Sequence, residues 1–263
     1  MAPLPPLGGA QAKVDRAVGH LGSLHEAVDA YLEREPYRVE LDFDEKAACH
    51  VVYIRVFEDP PLELSLMVGD LLQNLRAALD YLAWQLALLC NTEEELTKPA
   101  VARNITFPIS RRAEDFASHS LLPFIPEEAC AAIKRLQPYQ RRDGAEGHAL
   151  FILNELAKVD RHRVLHASLA SLELSHILLD WGDSVDREPY FDLTITADEP
   201  FEDGTEIGRV FGLGPDSDMS VNRHPTSSIL LTDGFEAVPL RLFGDLCATT
   251  GRLISIFEPF FED

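Results

Sequence analysis

Apolar residues recur at helical spacing through Val14, Ala17, Val18, Leu21, Leu24, Val28, Tyr31 and Leu32, and the run stops before Pro36. Tyr37–Phe43 then alternates, and Val51–Val56 is β-branched and aromatic. With Asp44-Glu45-Lys46 between them, these two segments predict an antiparallel hairpin ended by Pro60-Pro61. Leu62–Cys90 predicts one long helix. Thr97–Ile109 reads as irregular with a short extended piece at Ile105-Thr106-Phe107, Glu114–His119 and Glu127–Leu136 predict two short helices, and His148–His166 predicts a third substantial helix. The period then changes. Ser171–Trp181, Tyr190–Thr196, Glu206–Leu213 and Ser228–Leu231 read as strands separated by turns such as Asp203-Gly204, and Leu240–Phe257 returns to helical spacing. The expected fold is α+β, a helical layer on one face of an antiparallel sheet formed by the N-terminal hairpin and the C-terminal strands. Its parts would be a flexible tail at 1–10 and one domain at 11–263. That domain would be helix-rich over 11–166 and β-rich over 167–238, with a C-terminal helix at 239–259.

The long helix carries a distinct stripe. At about 100° per residue, Val68, Leu71, Leu72, Leu75, Ala78, Leu79, Leu82 and Leu86 fill one wide face, and Asp70, Asn74 and Tyr81 lie opposite. Between the two runs a line of Gln73, Arg76, Asp80 and Trp84, in which Arg76 and Asp80 are one turn apart and able to pair. Leu82–Cys90 is apolar almost all round, a sign of burial on most sides. On the helix that includes Phe151–His166, Asp160 and Arg163 fall inside the apolar face, where an unpaired charge is costly. Together these point to a buried network of Arg76, Asp80, Asp160 and Arg163 joining the two helices, flanked by Gln73, Asn74 and Tyr81. The plainer alternative is that Arg163 extends to water and the stripe is a solvated flank.

Charge and cysteine usage narrow the function classes. Against 23 Lys and Arg stand 44 Asp and Glu, so the net charge of −21 disfavours binding to nucleic acid or to anionic membranes. No apolar run is long enough to span a bilayer. Cys49, Cys90, Cys130 and Cys247 are widely spaced in largely apolar surroundings, which reads as buried thiols in a reducing cytoplasm. Glu155, His162 and His166 lie within a narrow arc, but the order of the ligands differs from H-E-x-x-H. No metal and no cofactor is expected. Arg161 to His166 also reads R-x4-H, which resembles the motif of HEPN-domain ribonucleases. There an arginine would stabilise phosphorane charge and a histidine would move a proton.

Four segments carry a second resemblance: Gly69-Asp70-Leu71-Leu72-Gln73-Asn74-Leu75-Arg76-Ala77-Ala78-Leu79-Asp80-Tyr81-Leu82-Ala83-Trp84; Phe107-Pro108-Ile109; Leu136-Gln137-Pro138-Tyr139; and Leu153-Asn154-Glu155-Leu156 through Asp160-Arg161-His162-Arg163. They resemble a family of uncharacterised bacterial proteins in which the first segment reads GD-x-LHNLRSALDHLAW and the last D-K-H-R. The likeness spans about residues 35–166 and implies no established activity. Gln73 and Tyr81 stand where that family often has histidine, which removes an Arg76-x4-His reading here. The expected function is that of a cytoplasmic, non-enzymatic protein binding a small polar ligand or a protein partner near the Arg76/Asp80 stripe. The alternative is a HEPN-like, metal-independent ribonuclease using Arg161 and His166.

Overall fold

The structure is a computed structural model that describes residues 5–162, 166–174, 177–180, 193–196, 202–211, 215, 218–221, 228–232, 238 and 240–262. The chain is α+β. Its elements are α1 (Gly8–Leu32), β1 (Tyr37–Asp44), β2 (Cys49–Val56), α2 (Leu62–Leu88), α3 (Glu93–Leu96), α4 (Pro99–Ala102), α5 (Ala113–Ala117), α6 (Glu127–Arg135), α7 (Ala149–His162), β3 (His166–Leu174), β4 (Ile177–Asp180), β5 (Leu193–Thr196), β6 (Glu206–Phe211), β7 (Asp218–Val221), β8 (Ser228–Thr232) and α8 (Arg241–Ser255). Two compact units are formed, each from separated stretches of chain. The first takes 1–24, 66–164 and 241–263; the second takes 25–65 and 165–240.

In the second unit β1 and β2 make the expected antiparallel hairpin, with Tyr37 opposite Val56 and Asp44 opposite Cys49. Its turn is set by Asp44, whose Oδ1 accepts the backbone N–H groups of Lys46 and Ala47. β6 adds to the free edge of β2, again antiparallel, with a register irregularity between Val52 and Tyr53. The turn before β6 passes through Gly204 at φ +80°, a backbone angle that a side chain disfavours, and the Gly204 N–H donates to the Ile54 carbonyl. β2 is therefore the central strand, and its Cys49, Val51, Val52 and Ile54 are buried. The last turns of α1 pack into this unit through buried Val28 and Tyr31. The Tyr31 hydroxyl donates to the Glu58 carbonyl at 2.8 Å; burial and the nearby Glu58 carboxylate push it up to about 12.

The later strands do not all join that sheet. β3 lies between β5 and β8 in a separate three-stranded antiparallel sheet, and β4 pairs with β7 in a two-stranded ribbon. Alternation predicts a strand but not its neighbour, and among the described residues β6 is the later strand that extends the hairpin sheet. The predicted strand at Ser171–Trp181 spans the end of β3 and all of β4.

The first unit is helical. The predicted apolar face of α2 is fully buried, from Val68 to Leu86. α8 contributes Phe243, Leu246, Leu253 and Ile254 to the core, and α7 contributes Leu153 and Leu156. α1 opens earlier than its apolar period implies: the helix begins at Gly8, inside the stretch expected to be a tail, and Ala10 is buried. The Gly8 N–H donates to the Pro5 carbonyl, and prolines just before a helix have no N–H to leave unpaired. α4 occupies part of the stretch read as irregular, and α3, just before it, is closed by a capping box between Thr92 and Glu95. Among the described residues no helix is long and apolar enough to cross a membrane. All four cysteines are free thiols. Cys49 and Cys247 are buried as expected, but Cys130 is half-buried and Cys90 is exposed because α2 has ended there.

Candidate functional site

Arg76 and Asp80 do pair, at 3.2 Å, within one turn of α2. Neither is a solvated flank residue: the Arg76 side chain is 12% exposed and that of Asp80 31%. Their partner is not α7 but the backbone of Phe107. Arg76 Nη2 donates to the Phe107 carbonyl at 2.9 Å, and the Phe107 N–H donates to Asp80 Oδ1 at 2.8 Å. The two side chains thus clasp both polar groups of one residue whose ring is buried in the core. An extended segment with no ladder partner must find hydrogen bonds elsewhere, and here two side chains supply them.

Burial works against the charge on each member of the pair. It draws Arg76 below its usual range and lifts the Asp80 carboxyl above the usual carboxylate range; their mutual attraction and the Phe107 N–H act in the opposite sense on Asp80. Arg161, exposed near the end of α7, adds positive potential at both. Arg76 Nη1 is buried without a hydrogen-bond partner among the described residues. His119, whose Nδ1 accepts the Leu121 N–H, is held below its usual range by burial and then by the Arg76 charge.

α2 and α7 are neighbours, as the charge pattern implies, but the link is an amide. Gln73 Nε2 donates to Asp160 Oδ2 at 2.8 Å and to the Ala157 carbonyl at 3.0 Å. The expected network therefore separates into two parts, Arg76 with Asp80 and Gln73 with Asp160. Arg163 lies outside the described residues. The correction has a geometric cause: Gln73 is one turn nearer the α2 N-terminus than Arg76, level with the place where Asp160 meets the helix, whereas Arg76 reaches away to Phe107. Polar residues with no formal charge gave the pattern no reason to prefer Gln73.

Asp160 is also what makes residue 69 a glycine position. A Cβ on Gly69 would lie 2.2 Å from Asp160 Oδ1 and 2.9 Å from its Cγ. Gly69→Ala is expected to lower stability by about 1–2 kcal/mol, since the carboxylate must rotate away and release Gln73. In an Asp160→Ala background the same change should be neutral or stabilising by up to about 1 kcal/mol, because alanine is the better helix former. Urea midpoints of the four proteins of this cycle check the sign change.

The other flanking residues have local roles. Asn74 Nδ2 donates to the Asp70 carbonyl, and its Oδ1 accepts from Lys13 Nζ at 3.3 Å. That ammonium also lies 5.9 Å from the centroid of the exposed Tyr81 ring. A second polar residue, Gln137, repeats the Phe107 device one step along the chain: Oε1 accepts the Ser110 N–H, and Nε2 donates to the carbonyls of Pro108 and Ile133. Gln137 is 1% exposed. No charge or periodicity marked it as a site residue, although it belongs to one of the four segments that carry the resemblance.

Beside Asp80 lies a cavity of about 560 Å³ within the first unit. Asp80, Tyr81, Trp84 and Gln85 form one wall, faced by Ile105 and by the first residues of α1 around Pro6 and Gly9. Among the described residues Asp80 is the one charged member of that lining. A carboxylate, an amide and two aromatic rings can bind a small polar molecule, and the volume falls within the range of small-molecule sites.

Arg161 and His166 do not share a helix. α7 ends at His162, and His166 opens β3, opposite Thr232 of β8, in the other compact unit. The R-x4-H reading sets both residues on a helix, whereas Arg161 belongs to α7 and His166 to β3. Glu155 is engaged by Lys158 at 2.6 Å and by Asn154 at 3.1 Å. Among the described residues no group of three metal-ligating side chains occurs. Compared with protein-family models, curated proteins and solved structures, the chain matches none.

Proposed function

We propose that this is a cytoplasmic, non-enzymatic binding protein whose small polar ligand lodges in the cavity beside Asp80. The observation that carries this reading is the fixed carboxylate at the cavity wall. Asp80 is locked by Arg76 and by the Phe107 N–H through one oxygen, with Tyr81 and Trp84 next to it along the same wall. A preformed polar group set among aromatic surfaces is the usual make-up of a small-molecule site. Arg76 and Asp80 are bound up in holding the backbone, which favours recognition over proton transfer at this place.

The same reading includes membership of the bacterial family whose segments the chain resembles. It is supported by how the four segments meet: α2 holds Phe107 through Arg76 and Asp80, Gln137 holds Pro108 and Ser110, and Asp160 meets Gly69 and Gln73. Native mass spectrometry of protein purified from its own host tests the proposal. The expected result is a small-molecule adduct that is lost in Trp84→Ala. A bare chain mass in both proteins, or a bound macromolecule in place of the adduct, would overturn it.

A further inference from the structure

We propose that the ligand class of the Asp80 cavity is the small organic cation, an ammonium group carried on an apolar or aromatic body. This rests on the reading of that cavity as the ligand site. The charged and aromatic groups of the lining are all electron-rich. Asp80 offers a carboxylate, and Tyr81 and Trp84 offer aromatic faces, whose quadrupole attracts positive charge. Among the described residues no lysine, arginine or histidine lines the cavity.

The carboxylate has capacity left. Both of its contacts, to Arg76 at 3.2 Å and to the Phe107 N–H at 2.8 Å, fall on Oδ1. Oδ2 has no hydrogen-bond partner among the described residues, and the side chain retains 31% exposure. A neutral apolar guest would cover that oxygen and leave it unpaired, which is costly; an anion would meet a like charge. An ammonium N–H would satisfy it with a charge-assisted hydrogen bond. Arg76 and Arg161 both bear on Asp80 with the opposite preference. Arg76 is already committed to Oδ1 and to Phe107, and Arg161 is exposed, where water and salt screen it. The net charge of −21 favours cations at longer range. Tyr81 also has a cation near its ring already, in Lys13, which is not part of the cavity lining.

The test uses the full chain at about 0.15 M salt, where long-range attraction is screened. Phenethylammonium, 2-phenylethanol and phenylacetate, similar in body and differing in charge, are titrated by calorimetry. Phenethylammonium is expected to bind at least about tenfold more tightly than either of the others. That preference should be lost in Trp84→Leu and reduced in Tyr81→Leu, whose ring is exposed and whose replacement leaves the core intact. Equal binding of all three with dependence on Trp84 would overturn the charge preference while leaving the cavity as a ligand site. Tighter binding of phenylacetate would do the same. No binding of any probe, or binding of the ammonium that neither substitution alters, would overturn the cation inference. The adduct measured by native mass spectrometry would then decide the ligand reading independently.

Discussion

Arg76→Ala is expected to lower stability by about 2–4 kcal/mol, slightly below the loss on breaking a fully buried ion pair because part of Asp80 still meets water. Three consequences add up. Asp80 loses its counter-charge, the Phe107 carbonyl loses its donor, and the stem of a nearly buried side chain is removed. Asp80→Ala should cost somewhat less, since it strands the Phe107 N–H and the guanidinium, while a longer arginine can shift towards solvent. The two effects should be strongly non-additive, because after the first change the second removes a group that has already lost its partner. Coupling between Arg76→Ala and Asp160→Ala should be small, since Asp160 is tied to α2 through Gln73. Chemical denaturation of the single and double variants separates these cases. A loss under 1 kcal/mol for Arg76→Ala would mean that the clasp on Phe107 is of no consequence, as for an exposed pair.

Gln137→Ala is expected to cost about 2–3 kcal/mol, a comparable loss without any charge being involved. One buried amide satisfies the Ser110 N–H and the carbonyls of Pro108 and Ile133. Alanine leaves the Ser110 N–H and the Pro108 carbonyl unpaired in a place that admits little water, while the Ile133 carbonyl keeps the Leu136 N–H. Gln137→Glu separates hydrogen bonding from volume. It keeps the acceptor for Ser110 but sets a carboxylate oxygen against the Pro108 carbonyl, so it should be at least as damaging at neutral pH. Recovery of Gln137→Glu at acid pH, where the side chain can again donate, would show that the donor to Pro108 is the group that matters. Equal stability of Gln137→Ala and the parent protein would remove this residue from the account.

The helical part of the fold was legible because burial and period coincide there. Every apolar position projected on α2 is buried, and the α6 and α8 limits fall within two residues of the pattern. The hairpin was legible for the same reason, with Asp44 supplying the turn chemistry. Sheet membership was not, because a strand's own residues say which face is buried but not which edge it meets. In the site, the projection singled out Arg76 and Asp80 on a stripe of α2 and Asp160 on the apolar face of α7, and each of them makes a hydrogen bond. Their partners were out of reach of that logic. Phe107 participates through its peptide groups, and Gln73 and Gln137 are uncharged residues that no projection distinguishes from surface polarity. A glycine within an apolar helix, Gly69, was the available sign that something approaches α2 closely at that level.

The discontinuous make-up of the first unit bears on how the molecule is made. Its core needs α2 and α7 together with α8, which is translated after both of them and after the whole of the second unit. Until then the surfaces that will hold Phe243 and Leu246 have no cover, while the whole of the second unit's sequence has already been translated. Closing so long a loop is entropically slow, and exposed apolar helices in that interval are what chaperones bind. Ribosome-stalled chains that stop short of Arg241 should therefore recruit chaperones far more strongly than chains that extend past Ser255, so that the order of translation sets the period of greatest vulnerability to aggregation.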